Sequence, residues 1–165
     1  MNNVKPSYSL IAKILHWGFV GFFIYGIIKS VDELNQLDES SFLKFEILFA
    51  LAFLFILTGR FFYMKKTQKT SLPINTPKPQ RLAARLVHLG MYGALGAIAI
   101  TGLMIGLIFW LGLKDGVLIE TVVAIHELAI PLAYWLIAIH ISAAIYHRLL
   151  NDGVWNSMVP FLKEK

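Results

Sequence analysis

Four stretches of this chain, about residues 10–28, 42–64, 81–110 and 120–150, are almost continuously apolar, and that pattern leaves few folds open. As an α-helix rising about 1.5 Å per residue, each is long enough to cross about 30 Å of hydrocarbon. With 57% hydrophobic residues and a mean hydropathy of +0.65, a chain of 165 residues could not bury that much apolar surface in water. The expected fold is an all-α, integral membrane, up-down four-helix bundle. It forms a single transmembrane domain over residues 1–165, with 151–165 as a tail beyond the last helix. The first run follows Lys5 and carries Lys13, as a cleaved leader would, but no small-residue cleavage site precedes Lys29, so it reads as a true helix.

Lysine and arginine set the orientation. The N-terminal tail is basic, and so is the loop holding Lys65, Lys66, Lys69, Lys78 and Arg81. The 30–41 loop carries Asp32, Glu33, Asp38 and Glu39 with no lysine or arginine, and the 111–118 turn has only Lys114. By the positive-inside rule both termini are expected on the cytoplasmic side. The net charge of +5 is then accounted for by topology, and no nucleic-acid partner is expected. Pro73, Pro77 and Pro79 are expected to keep the second half of the 65–80 loop out of helix. The absence of cysteine excludes disulfides, thiolate-ligated iron–sulfur clusters, thiol catalysis and haem attached through C-x-x-C-H.

Chemistry concentrates in five histidines. His126, His140 and His147 are separated by 14 and 7 residues, and at about 100° per residue all three share one face of the fourth helix. His16 lies about 9 Å into the first helix and His140 about 15 Å from the end of the fourth, so these two can meet. His88 and His147 fall near the same end of the bundle. His126 lies near the other end, where its natural partner would come from the start of the second helix. Two imidazoles facing each other across a bundle at one depth suit six-coordinate haem iron, which needs neutral nitrogen donors and a flat apolar slot. Gly90, Gly93, Gly96, Gly102 and Gly106 allow close approach of a neighbouring helix or of such a flat ligand. A histidine that only hydrogen-bonds between helices is the plainer reading of each residue taken singly, and a proton relay also stays open. Zinc is disfavoured, because no third and fourth ligands converge.

Leu15-His16-Trp17, Arg60, the proline-rich loop, His88-Leu89-Gly90-x-Tyr92, Thr101-Gly102, His126-Glu127, His140-x-x-Ala143-Ala144-x-x-His147 and Asp152-Gly153 stand in an order that resembles the bacterial cytochrome b561 family. That family is related to the cytochrome b subunits of nickel–iron hydrogenases and formate dehydrogenases. The resemblance implies a multi-pass protein of the bacterial inner membrane that binds haem b without covalent attachment and exchanges electrons with quinone. It implies His16 and His140 as ligands of an inner haem iron and His126 as one ligand of an outer one. It puts His147 near a quinone-binding region and His88 near the inner haem edge. The second outer ligand is usually a histidine early in helix two. Here Phe42 to Phe49 contains none, and Glu46 falls nearest the slot.

The outer haem is therefore expected either to be missing or to be five-coordinate on His126, so one haem b is expected, with two left open. Glu46 is either a weak second ligand or a residue paired with Lys44. Arg81, Arg85 and Arg148 either pair with haem propionates or simply mark the cytoplasmic side. No catalytic residue is expected. Alternatives are a quinone-linked redox enzyme acting on a small molecule such as superoxide, and a membrane anchor subunit that has lost haem. A redox partner subunit or cytochrome and a homodimer also stay open.

Overall fold

The computed structural model describes residues 7–30, 34–68 and 70–164. Lys5, Asp32, Glu33, Lys69 and Lys165 lie outside the described residues. Among those described the chain is all-helical: α1 (Leu10–Lys29), a 3-10 turn (Leu34–Asp38), α2 (Ser40–Thr67), α3 (Lys78–Trp110), α4 (Val117–Leu150) and a short α5 (Val154–Met158). The first four long helices are each long and apolar enough to span a membrane. Large apolar side chains such as Phe55, Leu128 and Trp135 point outward, 71–81% exposed. Water would penalise that surface and lipid does not.

The observed ends differ from the sequence reading by up to three residues, and two of the differences have a local reason. Helix α3 starts at Lys78 with Pro79 inside its first turn, where the missing N–H has no helical partner to lose. Helix α2 runs on to Thr67, taking Lys65 and Lys66 into its last turn, where cations suit the helix dipole. Helix α1 is capped by Ser9, whose hydroxyl accepts from the Ala12 N–H at 3.2 Å. The same hydroxyl bonds Tyr63 at 3.0 Å, and Gln68 accepts from the Ser9 N–H at 3.1 Å, so the start of α1 is tied to the end of α2.

The α3–α4 turn needs two glycines at positive φ, Gly112 and Gly116, and is held to the 3-10 turn by the Lys114–Asp38 ion pair. Past α4, Asn151 and Gly153 adopt left-handed conformations, and the chain folds back under the bundle. There the Trp17 indole donates to the Met158 carbonyl at 3.2 Å, and the Tyr8 N–H donates to Ser157 at 3.2 Å. The described parts of the two chain ends thus lie at one end of the bundle, here called the terminal end. The tail expected beyond Asn151 is in fact docked, with the Glu164 carboxylate accepting from the Gly153 N–H at 2.8 Å.

All four long helices contribute to the central core of Phe19, Phe53, Leu57, Ala94, Leu95, Ala99 and Ala133. A second cluster, Leu37, Ile105, Ile108, Phe109, Ile119 and Val122, closes the opposite end. Helices α3 and α4 pack closely, as do α2 and α3, whereas the backbones of α1 and α4 stay apart. Close approach of α2 to α3 depends on Gly106: a Cβ there would lie 2.6 Å from Ile47 Cγ1. Gly106→Ala is expected to lower stability by about 1–3 kcal/mol through overpacking. Gly93→Ala, with nothing within 4 Å, should leave it unchanged or raise it, and thermal unfolding in detergent compares the two.

Candidate functional site

At one depth near the terminal end, each long helix contributes one polar side chain. His16 lies six residues into α1, about 9 Å from its start, and Arg60 seven residues before the end of α2, about 10 Å in. His88 lies ten residues into α3 and His140 ten residues before the end of α4, about 15 Å in. The His16 and His140 ring centroids are 6.3 Å apart with the rings at 66°. His88 approaches His140 more closely, at 4.9 Å and 79°. His16 and His140 thus face each other between α1 and α4, whose described backbones do not close together.

The hydrogen bonds sort these imidazoles by which nitrogen is available. His88 Nδ1 lies 2.6 Å from the Ala84 carbonyl, which can only accept, so Nδ1 carries the proton and Nε2 keeps its lone pair. His16 Nδ1 instead lies 2.8 Å from Arg60 Nη2, which can only donate. The Arg60 guanidinium also sits over the Tyr92 ring at 5.4 Å and the Phe19 ring at 5.9 Å, and its buried Nε has no hydrogen-bond partner. Among the described residues no three His, Cys, Asp or Glu side chains converge on a metal-sized point. Six-coordinate haem iron asks for two imidazoles rather than three such ligands, so this does not bear on haem.

His126 lies nine residues into α4, about 14 Å from its start and about 21 Å along the helix from His140. Its Nδ1 is 2.8 Å from Thr101 Oγ, whose single proton goes to the Ala97 carbonyl at 2.6 Å. His126 must therefore donate from Nδ1, leaving Nε2 with its lone pair. The ring edge packs on Gly102, with Cε1 3.6 Å from where a Cβ would be. Among the described residues no second imidazole lies across the bundle at this depth. Glu46 is half-buried in the second turn of α2, and Phe22 stacks on Phe49 at 4.5 Å, with Phe45 and Phe53 continuing the pile. The Phe49 ring fills the space that Gly26 leaves open, 2.5 Å from a notional Cβ.

The remaining expected residues lie at the terminal end. His147 is buried, 8% exposed, and its Nδ1 is 2.5 Å from Asp152 Oδ2. Asp152 also accepts from the Val154 N–H through its other oxygen, at 3.1 Å, which holds the carboxylate still. Arg148 stacks over Trp155 at 5.2 Å. Arg81 is spent on its own loop, donating to the carbonyls of Ile74 and Thr76, and Arg85 is exposed.

So His16, His88 and His140 come together, His126 and His147 stand apart from them, and Arg81 and Arg85 face outward. Arg60, Thr101 and Asp152 are the partners that sequence reasoning did not assign a role. Arg60 was legible only as a charge closing helix two, and the three extra residues of α2 put it deeper than that.

A bundle of four membrane-spanning helices with imidazoles facing across it defines a class, the membrane proteins that can hold a planar cofactor between helices. The family model of the prokaryotic cytochrome b561 proteins matches residues 7–161, and the chain belongs to that family of membrane b-type cytochromes. No curated protein and no solved structure gives a match.

Thr101→Val would remove the acceptor of the His126 Nδ1–H while keeping the shape. A loss of about 1–3 kcal/mol is expected from the orphaned donor, and Thr101→Ser should restore it. Denaturant or thermal unfolding of the two variants in detergent is the check.

Proposed function

We propose that this chain is a one-haem electron-transfer cytochrome of the bacterial inner membrane, a single domain with both termini cytoplasmic, that binds haem b between His16 and His140 and exchanges electrons with quinol. The observation that carries this is the 6.3 Å separation of two imidazole rings on helices that do not close on each other. Nitrogens about 2 Å from a first-row metal on opposite sides put the ring centroids roughly 6 Å apart, so the donor pair fits. His88, at 4.9 Å from His140 and on a helix packed tightly to α4, is too near to be the opposite ligand and lines the edge of the slot instead.

Bound haem supplies one-electron chemistry between Fe(II) and Fe(III). The chain's own residues do the rest. Phe19, Leu95 and Ala133 of the central core keep water from the middle of the bundle. His147, oriented through Nδ1 by Asp152, keeps Nε2 as an acceptor for a quinol hydroxyl proton at the terminal end. That end is assigned to the cytoplasm by the basic 65–81 loop. At the other end His126 has its nitrogen preset by Thr101, but no second imidazole among the described residues lies at its depth, where phenylalanines stack between α1 and α2, and this favours one haem over two.

His16→Ala and His140→Ala are each expected to lose most of the haem Soret absorbance of the purified chain. His88→Ala and His126→Ala should retain it. Retention of full haem by both His16→Ala and His140→Ala would rule out this site.

A further inference from the structure

The assignment of His16 as a ligand meets an obstacle in the structure itself. A guanidinium has only N–H donors and stays protonated, so the 2.8 Å contact from Arg60 Nη2 requires His16 Nδ1 to offer its lone pair. The single proton of the neutral ring then sits on Nε2. One nitrogen is occupied by Arg60 and the other carries hydrogen, so His16 has no lone pair left for iron. His88 and His126 are held the opposite way, each donating from Nδ1 and leaving Nε2 free.

Arg60 is itself in an unfinished environment. It is a cation about 10 Å inside a membrane-spanning helix. Neither the Lys114–Asp38 nor the His147–Asp152 ion pair involves it. Two aromatic faces and one imidazole nitrogen stand in for a carboxylate, and buried Nε donates to nothing. A half-buried charge with a buried, unpartnered Nε is costly, and an anion brought into the slot would relieve it.

We propose that Arg60 competes with haem iron for His16: while its guanidinium bonds His16 Nδ1 the imidazole cannot coordinate, and a porphyrin carboxylate that takes the guanidinium would free His16 as a ligand. This rests on the haem reading given above. The exchange balances: the proton leaving His16 Nε2 is matched by one taken up at Nδ1, no net charge is transferred to the ring, and the carboxylate replaces the imidazole as the partner of the same guanidinium. Arg60 is in this sense a positioning residue for His16.

The test follows haem loading by Soret absorbance, mixing the haem-free full-length chain in detergent with ferric haem or with its dimethyl ester, which lacks the carboxylate charges. Arg60→Gln supplies an amide oxygen that accepts the Nδ1–H and so presets His16 for iron. It is expected to load about tenfold faster than the wild type, the worth of one exchanged hydrogen bond. The wild type should hold haem about tenfold more tightly than the ester, and Arg60→Gln should hold both alike. Arg60→Lys, still a donor-only cation, should load as slowly as the wild type and keep the preference for haem, and it decides the matter if Arg60→Gln does not fold. Equal loading by wild type and Arg60→Gln, fast loading by Arg60→Lys, or equal retention of haem and ester by the wild type would each overturn the proposal. Failure of the wild-type chain to bind haem at all would instead overturn the haem reading itself.

Discussion

Inside hydrocarbon a polar side chain has no water to fall back on, so each one in a helical bundle must find a partner on a neighbouring helix. Here four such side chains, one per long helix, share a depth, and their mutual dependence shapes the terminal end of the molecule. His140 meets His16 and His88, His16 meets Arg60, and Arg60 rests on Phe19 and Tyr92. The separation of α1 from α4 follows from the same cluster. Two bulky imidazoles stand between these helices, whereas α3 and α4 close together along small residues, Gly90 against Leu136 and Gly102 against His126.

The two ends of the bundle use the same α4 spacing to different effect. His140 and His126 lie 14 residues apart on one face, yet only His140 has imidazoles opposite it. At a depth similar to that of His126, the α1–α2 contact is a pile of phenylalanines closed by Phe49 seated against Gly26. Offset stacks of this kind are stable in their own right and leave no donor atom pointing inward. A transmembrane chain of two haems would need a ligand at this point, and α2 offers Glu46 in a phenylalanine-rich turn instead.

Much of this was readable from residues alone. Apolar run length locates a membrane helix because hydrocarbon thickness sets it, and counting residues from a helix end gives depth at about 1.5 Å per residue, which is why the sequence alone matches His16 with His140. The misplaced helix ends trace to Pro79, tolerated in a first turn, and to Lys65 and Lys66, whose long side chains let a helix continue past the apolar run. The roles of Arg60 and Thr101 were not readable. Each depends on which atom of a histidine from another helix it faces, and no periodicity within one helix carries that. Asp152 was visible as a turn residue, but its bond to His147 depends on Asn151 turning left-handed to bring the chain back.

The measurement closest to the central claim is electron paramagnetic resonance of the oxidised, purified chain with spin quantitation against protein. A single low-spin ferric signal of the bis-imidazole kind, at one spin per chain, is the result expected for a haem held by His16 and His140 alone. Two distinct low-spin signals, or a high-spin signal of comparable size, would contradict it, since either would mean that His126 also holds haem or that the His16–His140 pair does not complete the coordination.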